Sequence, residues 1–142
     1  MILIVDANVV ISALIRNSKS RELLTISPFT FYSPDTLLES IEKYKEEFIQ
    51  KSELSDKDFE TLLGFILEKI TIVNQREYKP KLEQARDIIS HIDIGDVNYI
   101  ALALSVENDG IWSDDTHFQK QDKIKVYKTE DIVRLMEKEN FE

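Results

Sequence analysis

Apolar residues in this chain fall into short runs and long ones, and the two kinds alternate. The short runs are ILIV (2–5), FTFY (29–32), ITIV (70–73), GIW (110–112) and IKVY (124–127). Their length and their share of β-branched and aromatic residues predict strands. ILIV has no polar member, the pattern of a strand covered on both faces.

The longer runs have helical spacing. VVISALI (9–15) leads into one helix. SPDTLLESIEKYKEEFIQ (33–50) predicts another, with Ser33 as N-cap, Pro34 at the first helical position, and Leu37, Ile41, Tyr44 and Phe48 along one stripe. SDKDFETLLGFILEK (55–69) begins at a further cap, Ser55, with Asp58 three residues on. KPKLEQARDIISH (79–91) and KTEDIVRLMEKEN (128–140) predict two more helices. DVNYIALALSVEND (96–109) is apolar nearly all round, so it belongs in the core.

Strands alternating with helices imply βαβ units. The expected fold class is α/β: a three-layer α/β/α sandwich around a central parallel sheet of about five strands. Three prolines and three glycines leave little punctuation, and there is no internal repeat, low-complexity tract or linker. At 142 residues the chain is expected to form a single domain, 1–142.

Composition narrows the chemistry. The chain has no cysteine, which excludes disulfides, thiolate metal sites and a cysteine nucleophile. No run reaches the length of a membrane span, and Asp6 and Asn8 interrupt the first apolar run too early for a signal peptide, so a cytoplasmic protein without a membrane partner is expected. The formal charge of -9 argues against a broad basic face for nucleic acid. It does not exclude a local one, because acids that hold a divalent cation invert the charge where the cation sits. Two Mg²⁺ would change -9 to -5.

Several acids fall at matching places. Asp6 ends the first strand, Asp96 opens the core helix, and Asp114 and Asp115 follow the GIW strand. In a parallel sheet these places share the rim at the carboxyl ends of the strands, where such folds build their sites. Acids gathered there raise one another's pKa unless a cation relieves the repulsion. Mg²⁺ and Mn²⁺ suit all-oxygen donors, and one or two such ions can activate water and stabilise the leaving oxygen of a phosphodiester. Composition and spacing lead to an acidic rim and a metal site, and no further.

LIVDANVVISAL (3–14), SPDTLLESIEKY (33–44), IDIGDVNYIALAL (92–104) and IWSDDTHF (111–118), in that order, resemble the PIN-domain family. These are metal-dependent ribonucleases of the VapC and PilT N-terminal type, and they include the toxins of toxin–antitoxin pairs. The resemblance spans essentially the whole chain. It implies an Mg²⁺- or Mn²⁺-dependent endoribonuclease with RNA as substrate. For toxin members it also implies an antitoxin partner, and it often implies a homodimer. Carried over by position, the metal-holding and catalytic acids are Asp6, Glu39, Asp96 and Asp115. Asn8 and Ser113 orient them, Asp93 is an additional nearby acid, and Asp114 takes the variable place before Asp115 while remaining a rim acid. Glu39 rests on the resemblance alone, because on a helical wheel it lies with Glu42 and Glu46 on a solvated face.

His91 and His117 have no visible partner and read as surface or structural residues, and Trp112 with the Tyr99–Leu104 cluster reads as core. Arg16, Lys19, Lys43 and Lys45 are cations that could meet RNA phosphates near the rim. A strand ending in Asp also begins aspartyl-nucleophile phosphatases, but those need a second acid two residues on, and Asn8 cannot deliver a proton. The alternative expectation is a non-catalytic module that uses the same fold to bind a protein.

Overall fold

A computed structural model describes residues 1–91 and 94–141. In chain order the elements are β1 (Ile2–Val5), α1 (Ala7–Ile15), α2 (Lys19–Ile26), β2 (Thr30–Pro34), α3 (Thr36–Lys43), α4 (Lys45–Ser52), α5 (Asp56–Glu68) and β3 (Ile70–Val73). There follow α6 (Gln75–Tyr78), a 3-10 turn over Lys79–Lys81, α7 (Leu82–Ile89), a second such turn over Ile94–Asp96, α8 (Val97–Ser105), β4 (Gly110–Trp112), α9 (Thr116–Gln119), β5 (Val126–Tyr127) and α10 (Thr129–Phe141).

The five strands form one parallel sheet in the order β3-β2-β1-β4-β5. Strand β1 lies at the centre, and the chain builds outward from it first on one side and then on the other. This reversal of strand order falls between β1 and β4, where Ile4 is in register with Ile111 and Val5 with Trp112.

Alternation along β1 generates the layers. Leu3 and Val5 face one core with Val9, Leu14, Phe31 and Trp112. Ile4 faces the other with Ile100, Leu102, Ile111 and Phe118. Leu3, Ile4 and Val5 are all fully buried, as the unbroken apolar run predicts. Each such side chain contributes roughly 1.5–3 kcal/mol on burial. The three-layer α/β/α sandwich is therefore the observed architecture, and α8 is the core helix it was expected to be, with Val97 and Tyr99 through Ala103 buried.

The structure departs from local expectation in four places. Ser33 and Pro34 do not start a helix but end β2, where Pro34 pairs with Val73. The Ser33 hydroxyl donates to the Val5 carbonyl of the neighbouring strand instead of capping, and α3 begins at Thr36. The helix expected over 33–50 breaks at Tyr44 into α3 and α4. The break lets Leu37 and Ile41 of α3 and Phe48 of α4 enter one core while Tyr44 stays 46% exposed, off the expected stripe. Helix α2 was not expected; Ser18 caps it through the Arg21 amide. The last strand is shorter than IKVY, because the Gln121 side chain holds the amides of Lys123 and Ile124 in a loop.

Candidate metal centre

Asp6 sits where β1 hands over to α1. Its amide continues the sheet by donating to the Trp112 carbonyl at 3.1 Å, and its carbonyl accepts from the Val9 amide at 3.1 Å. The residue has the extended backbone of an N-cap, yet its side chain makes no capping hydrogen bond. The carboxylate instead accepts from the Ser113 hydroxyl at 2.8 Å. Asp6 is only 4% exposed, and its pKa is pushed up to about 6. Burial is the main cause and the Asp115 charge adds to it, while the Ser113 hydroxyl and, more weakly, the nearby Ala7 and Asn8 amides favour the anion.

Ser113 directly follows β4 and is fully buried. Its oxygen donates to Asp6 and accepts from the Asp115 amide at 3.0 Å, so one hydroxyl fixes the acid of β1 against the acid after β4. Asp115 caps α9 by accepting from the His117 amide at 2.9 Å. Its other oxygen accepts from the Asn8 side-chain amide at 3.3 Å. Asp96, 8% exposed, occupies the N-cap position of α8. The imidazole of His117 lies beside both acids, with Nδ1 at 3.2 Å from Asp115 Oδ1 and 3.8 Å from Asp96 Oδ2.

The two neighbouring acids after β4 therefore part company. Asp114 turns away and accepts from both the amide and the hydroxyl of Thr129, at 2.7 and 2.5 Å, at the start of α10. The same Thr129 hydroxyl accepts from the Trp112 indole at 3.0 Å. Asp114 is thus the clamp that fastens α10 to the end of β4.

Four of the sequence-derived residues, Asp6, Asn8, Ser113 and Asp115, form one hydrogen-bonded chain at the switch point, and Asp96 reaches it through His117. Glu39 does not join it: it stays on the exposed face of α3, lining a groove with Leu38 and Leu63. Asp93 lies outside the described residues.

Three residues here were not anticipated from sequence. His117, expected to be without a partner, stands between two acids. Tyr99, expected as plain core, places its hydroxyl near Ser33 and the Ala7 amide, and its pKa is raised by burial and then by the charge of Asp6. Asp35, at the end of β2, accepts from the Gln75 amide at 2.9 Å and the Tyr78 hydroxyl at 2.6 Å, and so pins α6 to the sheet.

Among the described residues, no three acids or imidazoles already share a coordination point. The chemistry of the donors nonetheless fits a hard divalent cation. The set is made of oxygens, and it is centred on a buried carboxylate whose charged form is disfavoured by its surroundings. A cation beside Asp6 would reverse that preference.

The PIN domain family model matches residues 4–135, a span that includes Asp6, Asn8, Glu39, Asp96, Ser113, Asp115 and His117. No curated protein matches the chain. The central parallel sheet, its flanking helices and this match together establish that the chain belongs to the PIN domain family, a nuclease-type fold.

Proposed function

We propose that the chain is an Mg²⁺- or Mn²⁺-dependent endoribonuclease. The observation that carries the reading is Asp6: a buried carboxylate at the switch point of the sheet, tied through Ser113 to Asp115 and carrying a raised pKa. Such a group is unfavourable as a bare anion, and a cation offsets that cost.

In this reading Asp6, Asp96 and Asp115 hold the ion, with Glu39 completing the set from α3. Asn8 and Ser113 fix the carboxylates, as partners around metal ligands do. When bound, a divalent cation lowers the pKa of a water and stabilises the leaving oxygen of a phosphodiester. The chain's own residues orient the acids and bring the scissile phosphate to the rim. Hydrolysis would leave a 5′-phosphate and a 3′-hydroxyl. A toxin with an antitoxin partner and an RNA-processing enzyme are both compatible with this chemistry, as is a homodimer. No helix among the described residues is long and apolar enough to cross a membrane.

The test is incubation of the purified protein with total cellular RNA and Mn²⁺, beside EDTA and Asp115→Asn controls. Discrete fragments lost in both controls are expected. Cleavage that persists in EDTA would overturn the metal-dependent reading.

One observation favours a second reading, a non-catalytic interaction module: no coordination point is preformed among the described residues. Crystals soaked in Mn²⁺ separate the two. An anomalous peak between Asp6, Asp96 and Asp115 supports the nuclease, and its absence supports the module.

A further inference from the structure

A cleft of about 270 Å³ opens beside the acids, lined by Asn8, Val9, Ser12, Arg16, Asp114 and Asp115. Asn8, Ser12 and Arg16 follow one another at intervals of four, so one face of α1 and the residue that ends it form a wall of the cleft. That wall begins at Asn8, which holds Asp115, and ends at Arg16, the only cation lining the cleft among the described residues.

Arg16 is not neutralised there. Asp114 faces Thr129, and Asp115 faces Asn8 and His117. The guanidinium donates only through Nε, to the Ser12 hydroxyl at 3.4 Å, and makes no ion pair among the described residues. By contrast, Arg21 is bound to the carbonyls of Ala13 and Leu14, and Arg134 lies against Glu130 and Asp131. In a chain of net charge -9, an arginine that lines the acidic cleft with both terminal nitrogens open is a prepared anion partner.

We infer that Arg16 is a substrate-positioning residue that grips a phosphate flanking the scissile bond, and that the cleft along α1 is the path of the RNA strand away from the acids. The inference rests on the nuclease reading and deepens it. The Arg16 guanidinium rests on Ser12, one turn of α1 and so roughly 6 Å along the axis beyond Asn8, which suits a phosphate next to the scissile group rather than the scissile group itself. Arginine suits the task because its planar fork matches a phosphate through two parallel hydrogen bonds. A role limited to the helix dipole would need only a positive charge at the end of α1.

The test compares the parent with Arg16→Ala, Arg16→Lys and Arg16→Glu, using Arg86→Ala on α7 in the opposite layer as a charge control. Binding of a fluorescein-labelled single-stranded RNA of random sequence is followed by anisotropy in Ca²⁺ across a salt series, and cleavage is followed in Mn²⁺. Arg16→Ala is expected to weaken binding about tenfold and to reduce the slope of log affinity against log salt by about 1. The loss should appear in KM more than in kcat, and Mn²⁺ affinity should be unchanged. Arg16→Lys should recover only part, and Arg16→Glu should lose more than Arg16→Ala. If Arg16→Ala matches a parent that binds and cleaves RNA, this role is wrong and the nuclease reading stands. If Arg16→Lys matches the parent in full, the fork has no part. A parent that neither binds nor cleaves RNA overturns the nuclease reading and this role together.

Discussion

The Ser113 hydroxyl donates to Asp6 at 2.8 Å and accepts from the Asp115 amide at 3.0 Å, joining the end of the central strand to the loop after its neighbour. Both serine and aspartate are buried, so water does not compete for the bond. One oxygen atom therefore couples two acids that lie far apart in sequence, beside the Asn8 amide that also holds Asp115 and the sheet bond from the Asp6 amide to the Trp112 carbonyl.

Replacing Ser113 by Ala removes that atom and little else. Loss of such a support around a metal ligand typically lowers activity or metal affinity ten- to a hundredfold. Ser113→Ala should therefore lower RNA cleavage by about that factor while the protein stays folded by circular dichroism. Unchanged cleavage would mean that Asp6 and Asp115 hold their places without it.

Asp6 links the site to stability through pH. Its pKa is about 6 in the folded chain against 3.8 for the ordinary carboxyl, so the folded state favours the protonated form. Below about pH 4 both states are protonated and Asp6 imposes no penalty. The penalty grows between those two values and is complete above about pH 6, where it amounts to about 3 kcal/mol. In EDTA, Asp6→Asn should therefore be more stable than the parent at pH 7.5 and close to it at pH 4, as measured by urea denaturation. Adding Mn²⁺ should stabilise the parent but not the variant. A variant less stable than the parent at pH 7.5 in EDTA would show that the buried anion is well solvated. The same variant should cleave RNA at no more than a small fraction of the parent rate.

How much of this could be read from the chain alone depended on how local each cause is. The β1 strand and its terminal acid were legible because four unbroken apolar residues ending in Asp are a local signal, and the order of motifs carried the sheet with them. Ser33 carries the local signature of a cap, and what decides its role, the Val5 carbonyl that its hydroxyl meets, lies on another strand. Asp115 lies only two residues from His117, but the second acid beside the imidazole, Asp96, arrives from the start of α8 and meets it only in the folded chain. Helix α2 has a weak local signal, because KSRELLTI has few apolar positions. Glu39 shows the reverse limit: its role was drawn from the family pattern, and its exposed position on α3 adds nothing to that.

Asp114 and Asp115 make a paired test, since adjacent residues of the same type are assigned different work. Asp114 takes two hydrogen bonds from Thr129 at the first turn of α10. Asp114→Ala should lower stability by about 0.5–2 kcal/mol, the usual range for losing a helix cap. At a temperature where it is folded it should keep most of its RNA cleavage. Asp115→Asn should show the opposite, with near-parental melting and little cleavage. Exchanged phenotypes would reverse the two assignments.

Gly110 sets the position of the strand from which both acids depart. It has φ of 145°, a conformation that L side chains rarely adopt. A Cβ there would lie 2.7 Å from the Lys125 carbonyl and 2.9 Å from the Tyr127 ring. The carbonyl cannot retreat freely, because it accepts the Ile111 amide that ties β4 to the segment leading into β5. Gly110→Ala thus combines backbone strain with a clash against main chain, and should cost about 2–4 kcal/mol of stability. The shift would pass along β4 to Ser113 only two residues beyond Ile111, so cleavage should fall as well, even under conditions where the variant is folded. Thermal melting and cleavage measured on the same preparation check both parts. An alanine variant that melts with the parent would show that β5 can move away from β4 at no cost, and the tight seating of that edge would then have no part in holding the site.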